Sequence, residues 1–144
     1  AMRMVAAAKV KRAEARMRAA RPFAVELERI LATVYDRLGN EPLEGSRYAA
    51  MLQNRPIRRV GLLVMTSDRG LCGAFNTNVL RQAAKQVDAY QAENVLPRVY
   101  LVGSKAITFF KKHYPNVPVL GRTSGMTAAP TQQQAQLAMQ EMMG

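Results

Sequence analysis

The chain contains one cysteine and one histidine, two residue types that can act as a nucleophile and its base. Cys72 lies in a glycine-containing turn ahead of a helical pattern, and the N-terminus of a helix favours the reactive thiolate. The base would have to be His113, which the pattern places at the far end of another helix, between Lys112 and Tyr114. A histidine flanked by lysine is usually solvated, and a cysteine in a turn more often only packs there. The sequence therefore does not predict a Cys–His pair.

Two glycine-containing turns stand between apolar runs and helical patterns, which is where α/β proteins bind phosphate groups. The first is residues 68–73, Asp-Arg-Gly-Leu-Cys-Gly, and it does not spell the dinucleotide pattern G-x-G-x-x-G. The second, Gly103-Ser104-Lys105, lacks the upstream glycine of a P-loop because position 98 is Arg. Nucleotide binding here remains an alternative that neither motif supports.

Acidic residues are too scattered to form an acid–base pair or a metal cluster. Of the 10 Asp and Glu residues, only Asp68 stands beside a glycine turn. One cysteine and one histidine exclude a dedicated zinc site, and one cysteine excludes an intramolecular disulfide framework. We predict no catalytic residue, no metal ligand and no cofactor.

The overall charge indicates the class of partner. With 21 Lys and Arg against 10 Asp and Glu, the 144-residue chain carries +11, which favours a nucleic acid, a membrane surface or an acidic protein. An apolar content of 49% is enough for a hydrophobic core. The longest apolar run, residues 60–65, is far below the roughly 20 residues that a membrane-spanning helix needs.

A heptad-like row of apolar residues runs through the first part of the chain. Its spacing of four and three residues over positions 6–38 predicts a helix about 50 Å long, one strand of a coiled coil. Gly39 and Asn40 are suited to end this helix, and Pro22, which lies off the row, predicts a bend. We call the row the seam: Ala6, Val10, Ala13, Met17, Ala20, Ala24, Leu27, Leu31, Val34 and Leu38.

More than half of the net charge lies on this helical arm. Residues 1–21 hold seven basic side chains and one acidic side chain, Glu14. Three interpretations arise: an amphipathic helix packed on its own domain, a nucleic-acid-binding arm, or a coiled-coil strand whose partner is outside these residues. No aromatic residue interleaves the basic ones, which disfavours nucleic acid. Because the row is so long and regular, we favour the coiled coil.

Beyond a connector with a short helix predicted at residues 46–53, strand and helix patterns alternate. We predict strands at residues 59–66, 98–102 and 117–120, the first buried on both faces. Helices are predicted after Asn76 or Asn78 as the N-cap, at residues 104–112, and at residues 131–143 with Thr131 as the N-cap. This order predicts a small Rossmann-like parallel sheet, incomplete at its C-terminal side. The predicted organisation is a helix at 1–39, a connector at 40–58 and an α/β domain at 59–144.

Several of these segments resemble one known family. Residues 2–12, Met-Arg-Met-Val-Ala-Ala-Ala-Lys-Val-Lys-Arg, with Arg21-Pro22-Phe23, and above all residues 66–73, Thr-Ser-Asp-Arg-Gly-Leu-Cys-Gly, with residues 76–78, are similar to the gamma chain of F-type, rotary ATP synthases. Residues 102–105 with Phe109-Phe110 are similar to the same family at the matching distance. The resemblance registers nearly the whole chain to the N-terminal half of that family, so we expect a fragment.

The resemblance implies a non-catalytic central-stalk rotor subunit, whose N- and C-terminal helices form an antiparallel coiled coil inside the ring of alpha and beta subunits. It further implies an epsilon-type stalk subunit and the membrane rotor ring as partners, with no nucleic acid. Membrane association is then through the complex, on the cytoplasmic, stromal or matrix side of an energy-transducing membrane. The coupling would be mechanical, with proton flow turning the stalk.

On this resemblance we expect the basic arm to meet acidic levers of the catalytic subunits. The candidate rotor–ring contacts are Met2, Arg3, Lys9, Lys11, Arg12 and Arg16. The family-motif turn, which we expect to be structural or to contact neighbouring subunits, is Asp68, Arg69, Gly70, Leu71, Cys72 and Gly73. The alternative function is a basic α/β module that binds nucleic acid or nucleotide.

Overall fold

The structure, a computed structural model, describes residues 2–38, 56–125 and 130–143. The chain divides into two compact units, residues 1–55 and 56–144, and each is treated by itself. The short helix predicted at residues 46–53 and the helix end predicted at Gly39 and Asn40 lie outside the described residues.

The first unit contains one long helix, α1, Met2–Leu38. Its 37 residues correspond to about 55 Å at ~1.5 Å per residue. Pro22 lies inside α1, and helix is assigned on both sides of it without interruption. Alanine and arginine make up 16 of these 37 residues, and both favour the helical backbone. Arg29 adds an ion pair one turn away, with its Nη2 2.6 Å from Oε1 of Glu26.

The second unit alternates strand and helix as the sequence predicts. Its elements are β1 (Arg59–Met65), α2 (Phe75–Ala92), β2 (Leu96–Val102), α3 (Ser104–His113), β3 (Val119–Thr123) and α4 (Gln132–Met143). The strands form a sheet in the order β1-β2-β3, and both neighbouring pairs are parallel. The predicted fold class, a long N-terminal helix followed by a small parallel α/β sheet, is therefore confirmed.

The core lies between one face of the sheet and helices α2 and α3. Its buried members are Val64, Val87, Val99, Leu101, Ala106, Phe110 and Val117. Four of these come from the strands or the segment ahead of β3, and the helices supply the other three, so each of the two helices is held by an apolar side that it buries on the sheet. At β2, the central strand, Val99–Val102 are all buried.

The prediction that the first strand is buried on both faces is wrong. Only Val64 of β1 is buried, while Leu63 and Met65 on the opposite face are 49% and 54% exposed. The apolar run predicts burial of both faces because every residue in it is apolar or glycine. The face of β1 that carries Val64 packs against α2 and the core. On the other face, the Met142 side chain of α4 lies beside Gly61, and Leu63 and Met65 stay exposed.

Two further boundaries differ from the sequence-based expectation. The third strand begins at Val119 rather than at residue 117, because the Val117 amide donates to the Tyr114 carbonyl in a turn and Pro118 has no amide proton to donate. It continues through Gly121, where a side chain would collide with the Tyr100 ring. Helix α2 begins at Phe75 after Ala74, and neither Asn76 nor Asn78 is its N-cap.

The N-terminus predicted for the last helix is confirmed. The Gln134 amide donates to Thr131 Oγ1 at 3.3 Å, and the Thr131 amide donates to Gln134 Oε1 at 2.9 Å. This reciprocal pair is a capping box, which satisfies two amides that the helix itself cannot. α4 packs mainly on β3.

Candidate functional site

The carboxyl ends of the parallel strands meet at one edge of the sheet, where α/β folds usually carry their functional residues. The segment between β1 and α2, residues 66–74, lies at this edge; we call it the β1–α2 turn. It contains the family-motif residues 68–73. Its side chains connect the ends of β1, β2 and β3 with the first turns of α2 and α3.

Thr66 anchors the start of the β1–α2 turn and is 5% exposed. Its hydroxyl donates to the Val102 carbonyl at 3.2 Å and accepts from the Ala106 amide at 2.9 Å. Its own amide also donates to the Val102 carbonyl, at 2.8 Å. One buried side chain therefore joins the end of β2 to the first turn of α3.

Asp68 reaches further and joins two other segments. Its Oδ1 accepts from the Ser104 amide at 2.9 Å and from Ser104 Oγ at 3.1 Å, while its Oδ2 accepts from the Gly125 amide at 2.9 Å. The N-terminus of a helix attracts anions because its first amides are unpaired and its dipole is positive there. At α3 the chain supplies that anion from its own carboxylate.

Gly103 allows the start of α3 to pack closely against Thr66. It adopts φ +94°, a backbone conformation that favours glycine, and a side chain there would run into the Thr66 carbonyl and hydroxyl. The Gly103-Ser104-Lys105 turn, weighed above as a phosphate-binding motif, is thus packed against Thr66 and capped by Asp68. Its glycine serves the contact between β1 and α3.

Asn76, in the first turn of α2, holds the other side of the β1–α2 turn. Its Oδ1 accepts from the Ser67 amide at 3.0 Å. Its Nδ2 donates to Ser67 Oγ at 2.8 Å and to Cys72 Sγ at 3.1 Å. Asn76, one of the two asparagines that the sequence analysis offered as the N-cap, therefore fastens residues that precede the helix.

Cys72 and His113 border one groove but do not pair. The groove has a volume of about 400 Å³ and lies between the β1–α2 turn and α3. Cys72 is exposed, and its sulfur contacts Asn76 Nδ2 and Ser67 Oγ. The His113 ring packs on Phe109 with 4.8 Å between ring centroids. The structure brings the two residues nearer than the sequence suggests, yet neither described contact prepares a nucleophile.

The same groove has basic walls that the sequence analysis did not single out. Lys105, Phe109 and Lys112 all line it, together with Leu71, whose side chain is fully exposed. Leu71 also has a φ of 62°, in the left-handed region that non-glycine residues seldom adopt. The sequence does contain a signal for this basic face. Residues 105, 109 and 112 are four and three positions apart, a spacing that places their side chains on one face of a helix.

The predicted rotor–ring contacts all lie on α1. Arg3, Lys9, Lys11, Arg12 and Arg16 are exposed, and the Met2 side chain is outside the described side chains. Among the seam residues, Val10, Met17, Leu27 and Leu31 are 57%, 62%, 46% and 45% exposed, and Val34 is half-buried. A row of large apolar side chains on one helix face is a common feature of protein interaction surfaces.

Tyr114 links α2 to the end of α3. Its hydroxyl donates to both carboxylate oxygens of Asp88, at 3.1 and 3.2 Å. Burial raises the pKa of the Tyr114 phenol, and the hydrogen bond to Asp88 and the negative charge of that carboxylate raise it further. The phenol is therefore a stable hydrogen-bond donor at neutral pH.

The described residues contain neither a membrane-spanning helix nor a metal-binding cluster. Within residues 2–38, 56–125 and 130–143, no helix has the length and apolar content needed to cross a membrane. The same residues contain no cluster of three or more His, Cys, Asp or Glu side chains suited to a metal ion.

Comparison with known proteins gives a consistent similarity. Residues 1–144 match the family profile described as ATP synthase. The ATP synthase gamma chain of Thermosynechococcus vestitus is 39% identical over 135 residues, which cover 94% of this chain and 41% of that protein. The gamma chain of Acaryochloris marina is 41% identical with the same coverage. The chain thus spans about two fifths of the length of the curated relatives it matches.

Proposed function

The chain belongs to the ATP synthase gamma chain family, and we propose that it forms part of the central-stalk rotor of a proton-translocating ATP synthase. The observation that carries this proposal is α1. A 37-residue helix with a regular row of exposed apolar side chains requires an elongated partner to cover that row. A second rotor helix, antiparallel to α1, meets that requirement.

The seam itself suggests how closely the partner helix approaches. Its first part is mostly alanine, up to Ala24, and its second part has Leu27, Leu31 and Val34. Small side chains allow close approach of two helices, whereas leucine and valine hold them at ordinary distance. The two helices of the resulting coiled coil would lie closer together in its alanine-rich part than in its leucine-rich part.

The proposed mechanism is mechanical coupling. Proton flow through the membrane ring turns the stalk, and the asymmetric coiled coil contacts each catalytic beta subunit in turn. A rotor shifts a catalytic subunit between states only by contacting those states with different free energies. In this mechanism the chain supplies contact energy and performs no chemistry on the nucleotide.

The basic arm is suited to such moving contacts. Arg3, Lys9, Lys11, Arg12 and Arg16 are exposed on α1 and have long flexible stems. Exposed ion pairs contribute about 0.2–1 kcal/mol each, so they form and break at modest cost as the stalk turns. Acidic levers on the catalytic subunits are the proposed partners.

The α/β unit is the proposed foot of the rotor. We assign it contacts with an epsilon-type stalk subunit and with the membrane rotor ring, so that the chain reaches the membrane surface only through the complex. The fully exposed Leu71 and the basic groove beside it support a role in contact with other subunits. The β1–α2 turn then acts as a rigid contact element.

A chimaera tests this proposal. Residues 1–144 replace the matching segment of the Thermosynechococcus vestitus gamma chain, and the assembled complex is assayed for proton-driven ATP synthesis. We expect coupled synthesis. Replacing Leu27 and Leu31 with serine should lower the amount of assembled complex, because two large apolar side chains lose their burial in the coiled coil.

The matched control is Glu28→Ser, which changes an exposed residue on the same turn but off the seam. It should assemble as the unmodified chimaera does. A chimaera that assembles but hydrolyses ATP without pumping protons would contradict the rotor proposal. Equal assembly of the Leu27/Leu31 variant and the control would contradict the coiled coil.

A further inference from the structure

A second cavity lies at the opposite edge of the sheet, where the strands begin. Its volume is about 640 Å³, within the ~300–1,000 Å³ typical of small-molecule sites. The loop between α2 and β2 forms one side, and the segment ahead of β3 forms another. None of the family-motif residues lines it.

Two arginines from neighbouring strands line this cavity. Arg59 begins β1, and Arg98 lies in β2 opposite Gly61 in the parallel register. Residues two apart on a strand share a face, so Arg59 and Arg98 project from the same face at diagonal positions. Arg98 is half-buried and Arg59 is exposed.

Among the residues that the structure describes, this pair of arginines has no acidic partner. Neither guanidinium forms an ion pair within residues 2–38, 56–125 and 130–143, where Arg29 and Glu26 make the ion pair that is found. No Asp or Glu lines the cavity. Two like charges at neighbouring positions of a sheet destabilise each other, and a bound anion would remove that repulsion.

The remaining walls suit an anion with an organic part. Gln91, Asn94 and Asn116 supply neutral amide groups near the arginines. Leu96 and Val117 supply apolar surface on the same cavity. Guanidinium groups bind phosphate through paired hydrogen bonds, and amides can satisfy the oxygens that remain.

We propose that this cavity, lined by Arg59 and Arg98, binds the phosphate group of a phosphate ester. A phosphate monoester carries about −1.5 to −2 charges near neutral pH, which matches two guanidinium groups. The volume leaves room for an organic group beside the apolar wall. A soluble nucleotide and a phospholipid headgroup share this chemistry, and the experiment separates them.

The experiment uses the whole chain, labelled with ¹⁵N and titrated with ADP, and separately with adenosine, which has no phosphate. We expect ADP to shift the amide signals of Asn94, Arg98 and Asn116, and adenosine to leave them in place. In a second arm the chain is sedimented with phosphatidylcholine vesicles with and without phosphatidic acid. Response to ADP identifies a soluble ligand, and phosphatidic-acid-dependent sedimentation alone identifies a lipid headgroup.

Two variants and one control locate the binding. Arg98→Gln and Arg59→Gln should each weaken binding about tenfold, because each removes a charged hydrogen-bonding group. Arg81→Gln makes the same change of charge on α2, outside the cavity, and should change the affinity less than about twofold. If circular dichroism shows that Arg98→Gln is unfolded, the affinity of Arg59→Gln, whose substitution is on the surface, tests the proposal.

The proposal is overturned if neither ADP nor phosphatidic acid binds. It is also overturned if binding persists with unchanged affinity in both Arg59→Gln and Arg98→Gln. Signal changes confined to the basic residues of α1 would likewise overturn it, because they would show attraction to the arm. None of these results depends on assembly of an ATP synthase.

Discussion

Asp68 is the residue on which most of the candidate site depends. Its carboxylate accepts hydrogen bonds from Ser104 and Gly125, which lie 36 and 57 residues further along the chain. Hydrogen bonds to a charged group are stronger than neutral ones, and their donors here are two backbone amides and a hydroxyl. The side chain therefore acts as a clamp between the end of β1, α3 and the segment after β3.

We predict that Asp68→Ala lowers the free energy of unfolding by about 1–3 kcal/mol, since it leaves these donors without their acceptor. Asp68→Asn keeps a carbonyl oxygen and should cost less than Asp68→Ala. Urea denaturation followed by circular dichroism measures both.

Glu93→Ala is the control for Asp68, because Glu93 is exposed and its side chain makes none of the hydrogen bonds described. It should change the unfolding free energy by less than about 0.5 kcal/mol. Equal effects of Asp68→Ala and Glu93→Ala would show that the clamp does not stabilise the fold.

At this scale the sequence does not specify which side chain bonds to which. Asn76 stands directly ahead of a helical pattern, so an N-cap was the natural interpretation, and it is wrong. Its partner is Ser67, nine residues earlier, across a turn whose path depends on left-handed residues at Leu71 and Gly73. No local pattern specifies that path.

At the scale of elements, Tyr114 gives a measurable connection between α2 and α3. Its pKa is raised in the folded chain, so the folded state keeps the phenolic proton to higher pH than the unfolded chain does. The contribution of Tyr114 to stability is complete below the ordinary tyrosine pKa of about 10. It is lost as the pH rises from there through the folded-state pKa.

We therefore predict that the unfolding free energy of the wild type exceeds that of Tyr114→Phe at pH 7 to 9, and that this difference shrinks above about pH 10. Urea titrations of both proteins at each pH measure it. Tyr90→Phe is the control, because the Tyr90 hydroxyl takes part in none of the hydrogen bonds described. A difference that stays constant to high pH would exclude the Tyr114–Asp88 contact as its source.

The order and type of elements were predictable because each has a strong local signal. These signals each lie within a short stretch of the sequence. They are the 3.6-residue periodicity of α2 and α3, the apolar runs of β1 and β2, and the capping box of α4. The start of β3 and the exposed face of β1 were not predictable, because they depend on what packs beside them. Val117 is buried like a strand residue yet forms a turn with Tyr114.

On the scale of the whole molecule, the charge is uneven. Residues 1–21 contribute seven of the 21 basic side chains and only one of the 10 acidic ones. The net charge of +11 alone was compatible with a nucleic acid, whereas its concentration on one helix beside an apolar seam favours an acidic protein. The seam and the arm contacts stay predictions.

We predict that charge reversal at Lys9, Lys11 and Arg12, made in the chimaera, slows ATP turnover at least about threefold. Three exposed ion pairs worth about 0.2–1 kcal/mol each would be replaced by repulsion. Reversal of Arg81 and Lys85 on α2 is the control and should leave turnover within about twofold. Unchanged turnover and coupling in the α1 variant would exclude an electrostatic role for the arm.

The positive φ of Gly103 also has a genetic consequence. Because Thr66 already fills the space next to this α-carbon, every missense codon at position 103 would place a side chain against the Thr66 backbone. In a library of single substitutions selected for folded protein, this position should be depleted of all variants, while neighbouring Lys105, which is exposed, accepts many. Positions 103 and 105, although only two residues apart, should therefore differ strongly in the number of substitutions that they tolerate.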